Sequence, residues 1–188
     1  MVEAYEIGHL SEFEDLSDFL CGIKPMDEFI HSRLEIYTKN HYCSTYYVKR
    51  RGDKKIAALF ALSFDSIVLD YNDFDEMNTG MSDTDRPRVD ETTRIDFEEK
   101  SVHPALEIAY LAVDEQFQRK HLGKAIIEEI VRHAKGQTLG GCLFLTVQAY
   151  HTKDYSAQPF YQKCRFAKLS ATPKGDVWPM YKTLWCED

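Results

Sequence analysis

Apolar residues recur along this chain with two different periods. Ala125, Ile126, Ile127, Ile130, Val131 and Ala134 return at helical spacing and predict a helix from about Leu122 to 135. Ala105 to Val113 is apolar and strand-like, and the stretch between is polar. Earlier, Val2 to Ile7 reads as a first strand and Leu10 to Phe19 as a short helix or turn. Pro25 to Lys39 reads as a helix, with Pro25 at its first position and Met26, Phe29, Ile30, Leu34 and Tyr37 on one face. Ser44 to Lys49 and Lys55 to Ser63 read as strands around the turn Arg51-Gly52-Asp53, and Phe64 to Leu69 continues the second or begins another. Later come a strand at 142–147, a helix at 156–164, and strands near 166–170 and 177–184. Antiparallel strands followed by strand-helix-strand units predict an α/β (α+β) fold with a mixed sheet.

Composition bounds this picture. The chain has 188 residues, 44% hydrophobic and 13% aromatic, which suits one compact domain spanning 1–188. No apolar run approaches the roughly 20 residues of a membrane span, and the N-terminus is acidic where a secretion signal would be basic. The expectation is a cytoplasmic protein with no membrane partner. Five widely spaced cysteines, with no Cys-x-x-Cys and no metal spacing with histidine, read as reduced packing thiols rather than a disulfide scaffold or zinc site. The net charge is −8, and residues 70–100 hold eleven acids against four bases. That segment reads as an insertion loop, with a short helix near Asp90 to Glu99. It is either a lid that recruits a cationic acceptor or a solvated loop.

The chemistry concentrates where the strand at 105–113 hands over to the helix at Leu122. A helix start leaves amides unpaired and pointing one way, which makes an anion site. Arg119, Lys120, His121 and Lys124 surround those amides, and Gly123 permits close backbone approach. Neither the nucleotide P-loop pattern nor the dinucleotide Gly-x-Gly-x-x-Gly occurs. Leu111-Ala112-Val113 followed by Gln118-Arg119-Lys120-His121-Leu122-Gly123 resembles the pyrophosphate loop of the GNAT family of acetyl-CoA-dependent N-acetyltransferases. That pattern is Gln/Arg-x-x-Gly-x-Gly/Ala, and His121 stands where its first glycine usually sits. Downstream, Asp154, Ala157, Phe160, Tyr161, Arg165 and Phe166 follow the family's Asn-x-x-Ala-x-x-Leu/Phe-Tyr-x-x-x-Gly-Phe, with Asp154 for Asn and Arg165 for Gly. The resemblance covers roughly Ile56 to the C-terminus. It implies a GNAT fold of six to seven strands flanked by about four helices, and acetyl-CoA as cosubstrate. It also implies, as in many members, pairing of two copies through the late strands.

The resemblance assigns roles. The Leu111 amide would polarise the thioester carbonyl, Val113 would pair with the pantetheine arm, and Gln118 to Lys124 would hold the pyrophosphate. Tyr161 would give a proton to the leaving thiolate; its alternative is to pack its ring against the sheet. Strand alternation puts Glu107, Ala109, Leu111 and Val113 on one face, and Leu106, Ile108, Tyr110 and Ala112 on the other. Glu107 is thereby a candidate base for an arriving ammonium, or a solvated residue near the strand's start. Asp154 holds the cofactor arm or caps the following helix. The implied activity is direct acetyl transfer to a primary amine of a small molecule or protein.

The N-terminal half carries a narrower resemblance. Phe19-Leu20-Cys21-Gly22 followed by Met26-Asp27-Glu28-Phe29 is similar to a branch that includes toxins acetylating aminoacyl-tRNA. Two features run against that alternative: no basic stretch is evident apart from Lys49-Arg50-Arg51 and Lys54-Lys55, which look like a hairpin tip, and Tyr110 stands where that strand usually has Arg. A non-catalytic CoA-binding regulatory module is the other alternative, favoured by the missing loop glycine.

Overall fold

The structure, a computed structural model, describes residues 4–69, 99–138, 140–170 and 172–184. Its strands are β1 (Tyr5–His9), β2 (Ser44–Arg50), β3 (Ile56–Val68), β4 (Val102–Val113), β5 (Phe144–Tyr150), β6 (Ala167–Lys168) and β7 (Val177–Thr183). Its helices are α1 (Lys24–Ser32), α2 (Leu34–Lys39), α3 (Leu122–Gly136) and α4 (Gln158–Lys163), with short 3-10 turns at Phe13–Leu16 and Glu115–Phe117. The strands form one seven-stranded mixed sheet in the order β1-β2-β3-β4-β5-β7-β6. The expected α/β class and strand number are met. The short helix expected near Asp90 to Glu99 and most of the acidic loop lie outside the described residues.

The chain divides into two compact units, Met1–Ser63 with Ile108–Ile130, and Phe64–Glu107 with Val131–Asp188. In the first, β1 and β2 pair antiparallel, as do β2 and β3. Its core gathers Leu10, Leu16, Phe19, Cys21, Ile30, Leu34, Ile56, Leu59 and Ala112. The helix read at 25–39 is broken at Arg33 (φ −129°, ψ −28°). The Ser32 hydroxyl donates to the Glu28 carbonyl four residues back at 2.5 Å, a competition with the backbone that bends helices. Ile30 and Leu34 are nonetheless both buried, so the two short helices turn their apolar faces to the same core. Ile56 to Ala61 is buried at every position, which is why β3 reads as a continuous apolar run; it extends unbroken through Phe64 to Val68.

In the second unit β5 pairs antiparallel with β7 from Phe144↔Thr183 to Tyr150↔Val177, and β6 pairs with β7. This pairing carries β5 past its expected end at Val147 to Tyr150. Ile67, Leu69, Ala105 and Phe144 form the local core, with Leu143 and Tyr181 packed against it.

Candidate active site

The first unit contains the loop expected to hold pyrophosphate. β4 ends at Val113, and Asp114 turns the chain: its carboxylate accepts the Gln116 amide at 3.0 Å, and its own N–H donates to the Ala57 carbonyl at 3.0 Å. Asp114 is 2% exposed, and Lys55 Nζ lies 3.3 Å from its carboxylate. Arg119 (φ 58°) and His121 (φ 62°) both take the left-handed conformation, folding the loop tightly before α3. The Ala125 N–H bonds to the His121 carbonyl at 3.1 Å. The amides of Leu122, Gly123 and Lys124 therefore precede the first intrahelical bond, the arrangement that favours an anion.

The side chains of this loop are arranged less simply than the sequence reading had them. Gln118, though exposed, folds back onto the main chain: its carboxamide donates to the Cys21 carbonyl at 2.8 Å and the Val113 carbonyl at 3.0 Å. Lys120 Nζ donates to the Gln116 carbonyl at 2.7 Å, and Lys124 pairs with Glu128 at 3.5 Å. Arg119 and His121 are exposed beside them. On β4, Ala109, Leu111 and Val113 are each half-buried, while Ile108 and Ala112 on the opposite face are buried, as the alternation predicts.

Behind the loop, Asp27 binds two successive amides, Cys21 N–H at 2.7 Å and Gly22 N–H at 3.1 Å. Gly22 has φ 80°, and a Cβ there would lie 2.4 Å from Glu115 Oε1, so a residue with no side chain suits the position. Burial, and then the hydrogen bond to Asp27, push the Cys21 thiol up to about 12. The segment Leu20–Cys21 is bonded to the turn after β4 a further way: Glu115 N–H donates to the Leu20 carbonyl at 2.9 Å. Asp114 and Asp27 were not singled out for this region by the sequence reading. Asp114, directly after an apolar strand and two residues before Gln116, has the form of an Asx turn, a readable signal. Lys55, read as hairpin-tip charge, is instead committed to Asp114, and Lys49 is committed to Asp15 at 3.3 Å.

The second unit holds the remaining candidates. Tyr161 lies in α4 with its ring buried, edge-on to Phe160 (5.0 Å) and Phe166 (5.4 Å). Burial above all holds its phenol well above the ordinary value of 10, so it stays protonated through the neutral range. Arg165 follows α4 at φ 64°, the position that is glycine in the resembled pattern. Asp154 is exposed, and it does not cap α4: the cap residue is Ala157, and the Ser156 hydroxyl accepts the Gln158 amide at 3.3 Å. The capping alternative for Asp154 is thereby corrected. Glu107 is half-buried in β4. Among the described residues no group of three or more His, Cys, Asp or Glu is placed to hold a metal, and no helix is long and apolar enough to cross a membrane.

Residues 89–168 match the family described as acetyltransferase (GNAT) domain. No curated protein matches the chain. Among solved structures, a tyrosine-to-phenylalanine mutant of KacT is 16% identical, with 97% of this chain and 96% of that chain covered at TM-score 0.69. AtaTR bound with acetyl-CoA is 17% identical, covering 97% and 95% at TM-score 0.67. AtaT complexed with acetyl-methionyl-tRNAfMet is 15% identical, covering 93% of each chain at TM-score 0.64. At these identities the likeness is one of fold.

Proposed function

We propose that the chain is an acetyl-CoA-dependent N-acetyltransferase, a reading supported by the match of residues 89–168 to an acetyltransferase (GNAT) domain, and that the following residues do the work. The loop Gln118–Lys124 and the start of α3 bind the pyrophosphate, through main-chain amides more than through the side chains of Gln118, Lys120 and Lys124. The observation that carries this reading is the loop turned by Arg119 and His121 directly into the first turn of α3. Val113 pairs with the pantetheine arm, and the Leu111 N–H donates to the thioester oxygen as negative charge gathers there. Asp154 lies along the cofactor arm.

The acceptor arrives as an ammonium and gives up a proton to Glu107. Its nitrogen then attacks the thioester carbon, a C–N bond forms, and the C–S bond breaks. The thiolate takes its proton from Tyr161, whose buried phenol is protonated, and the nitrogen sheds its second proton as the amide forms, restoring the phenol. Transfer is direct. The Cys21 and Cys142 thiols are both held above their ordinary range by burial, which supports a route without an acetylated cysteine. We place the protein in the cytoplasm, a setting supported by the free thiols of Cys21, Cys43, Cys142 and Cys164 among the described residues. The whole chain acts as one catalytic domain, pairing with a second copy.

A titration calorimetry experiment tests the core of this. Acetyl-CoA should bind one-to-one and saturably, and Gly123→Trp should abolish that binding while the variant stays folded. Equal affinity in the variant overturns the loop assignment. A second reading, acetylation of aminoacyl-tRNA, is supported by the shared fold with AtaT, solved with acetyl-methionyl-tRNAfMet. Against it, Lys49 and Lys55 are spent on Asp15 and Asp114 rather than left for phosphates. The favoured acceptor is a primary amine of a small molecule or protein.

A further inference from the structure

At the start of β7, the second unit contains one buried hydrogen-bond donor with no acceptor among the described residues. The indole of Trp178 is 8% exposed, and its Nε1–H meets no acceptor among the described residues. Buried N–H groups left in that state are rare in folded proteins because the lost hydration is not replaced. Lys168 Nζ sits 3.8 Å from the centroid of the same ring. The two side chains come together because Lys168 pairs with Met180 on β7, two residues from Trp178. His151 meets the indole edge-on at 5.9 Å, and its Nδ1 is engaged by the Ser156 hydroxyl at 3.0 Å. The His151 N–H donates to the Asp176 carbonyl at 2.7 Å, which fixes the end of β5 beside the start of β7.

An N–H donor and an ammonium on one indole form an environment suited to a single kind of guest. Once the Lys168 ammonium swings from the ring face toward the indole edge, an oxygen in the ring plane bearing full or partial negative charge can accept from both, while a cation is repelled and an apolar group leaves the N–H unsatisfied. Lys168 is exposed on a long flexible stem, so the cover over the indole can shift to admit such a group. We propose that Trp178 and Lys168 form an oxyanion-binding site that takes a carboxylate or phosphate oxygen. Within the acetyltransferase reading, on which this last step rests, the oxygen belongs to the acceptor, which is therefore an amine that also carries an oxyanion.

The test uses the full chain labelled with 15N-tryptophan, whose two tryptophans give two indole signals. Trp178→Phe assigns the signal and keeps an aromatic ring under Lys168. Sodium acetate and inorganic phosphate are titrated separately, with chloride holding ionic strength constant. The Trp178 indole proton should move downfield and saturate with at least one of them, while the other indole stays still. Lys168→Met should weaken that binding about ten-fold. Acetate alone saturating assigns a carboxylate site; phosphate alone assigns a phosphate site. No saturable movement with either anion, or equal affinity in Lys168→Met, overturns the proposal. Acetyl-CoA titrated into the same sample separates the two ideas: anion binding without acetyl-CoA binding removes the reaction reading and leaves the site.

Discussion

The Gln118 carboxamide donates to the main-chain carbonyl of Cys21 at 2.8 Å, tying together two stretches 97 residues apart. The same nitrogen donates to the Val113 carbonyl at 3.0 Å, so one side chain fixes the end of β4, the loop and the Cys21 segment. This gives Gln118 a structural task that its expected contact with the cofactor did not include. Gln118→Leu should lose both bonds at a cost of about 1–2 kcal/mol and loosen the loop. Acetyl-CoA affinity measured by calorimetry should fall together with the denaturation midpoint. If stability falls while affinity is unchanged, the loop does not depend on this tie.

His121 and Arg165 each occupy a left-handed conformation where the resembled patterns have glycine. A non-glycine residue pays roughly 1–2 kcal/mol there, while glycine adds about 0.5–1 kcal/mol of unfolded-state freedom. Arg165→Gly and His121→Gly should each raise stability in chemical denaturation by up to about 1 kcal/mol. Gly22→Ala should do the reverse, since its φ is positive and its Cβ would crowd Glu115. Glycine variants less stable than the parent would mean that these side chains offset the backbone cost.

The parts of the fold that rest on repetition were legible in the sequence. Ile126, Ile127 and Ile130 on α3, and Ile108 with Ala112 on β4, are buried as their spacing demands. What was hidden depends on partners far along the chain or on local competition. The break at Arg33 comes with the Ser32 back-bond, which leaves the apolar spacing unchanged. The extension of β5 to Tyr150 depends on its ladder with β7. Asp114 could be read as a turn former, but nothing near it in sequence points to Lys55. The bond from Gln118 to the Cys21 carbonyl likewise needs Cys21 to be in place. Neither left-handed residue of the loop was read from the sequence: the glycine of the resembled pattern at His121 is a signal that could have found one, and Arg119 carried none.

The Lys55–Asp114 pair is a carboxylate 2% exposed against an ammonium that still reaches solvent. Removing the acid strands a half-buried cation and frees the Gln116 amide, so Asp114→Ala should cost about 2–3 kcal/mol, less than a fully buried pair. Lys55→Met in the same chain should recover part of the loss, because no unpaired charge then remains. A double-mutant cycle by urea denaturation reads the coupling directly. Strict additivity of the two substitutions would show that the pair contributes nothing beyond packing.

Cys21 sits where a nucleophile could be imagined, but its thiol is pushed up to about 12 by burial and by Asp27. At neutral pH almost none of it is thiolate, the reactive form. Initial rates at varied concentrations of acetyl-CoA and an accepted amine should give intersecting double-reciprocal lines, and Cys21→Ala should keep most of kcat. Parallel lines, with an acetylated enzyme isolated after incubation without amine, would require a ping-pong route.

Tyr161 combines a buried ring with a phenol held above the ordinary value of 10. The sign of its pH effect follows from that shift. The folded state keeps the proton more tightly than the unfolded chain, so this contribution to stability is complete below about pH 10 and is lost as pH rises further. Tyr161→Phe removes the titrating group, so its stability should decline less than the parent's above pH 10, while the two run in parallel between pH 6 and 9. In the same variant kcat should fall about 10²-fold or more, with acetyl-CoA affinity nearly unchanged, because a proton donor acts on the leaving thiolate and not on binding. Equal kcat with an altered alkaline stability limb would assign Tyr161 to packing alone and leave the thiolate to draw its proton from solvent.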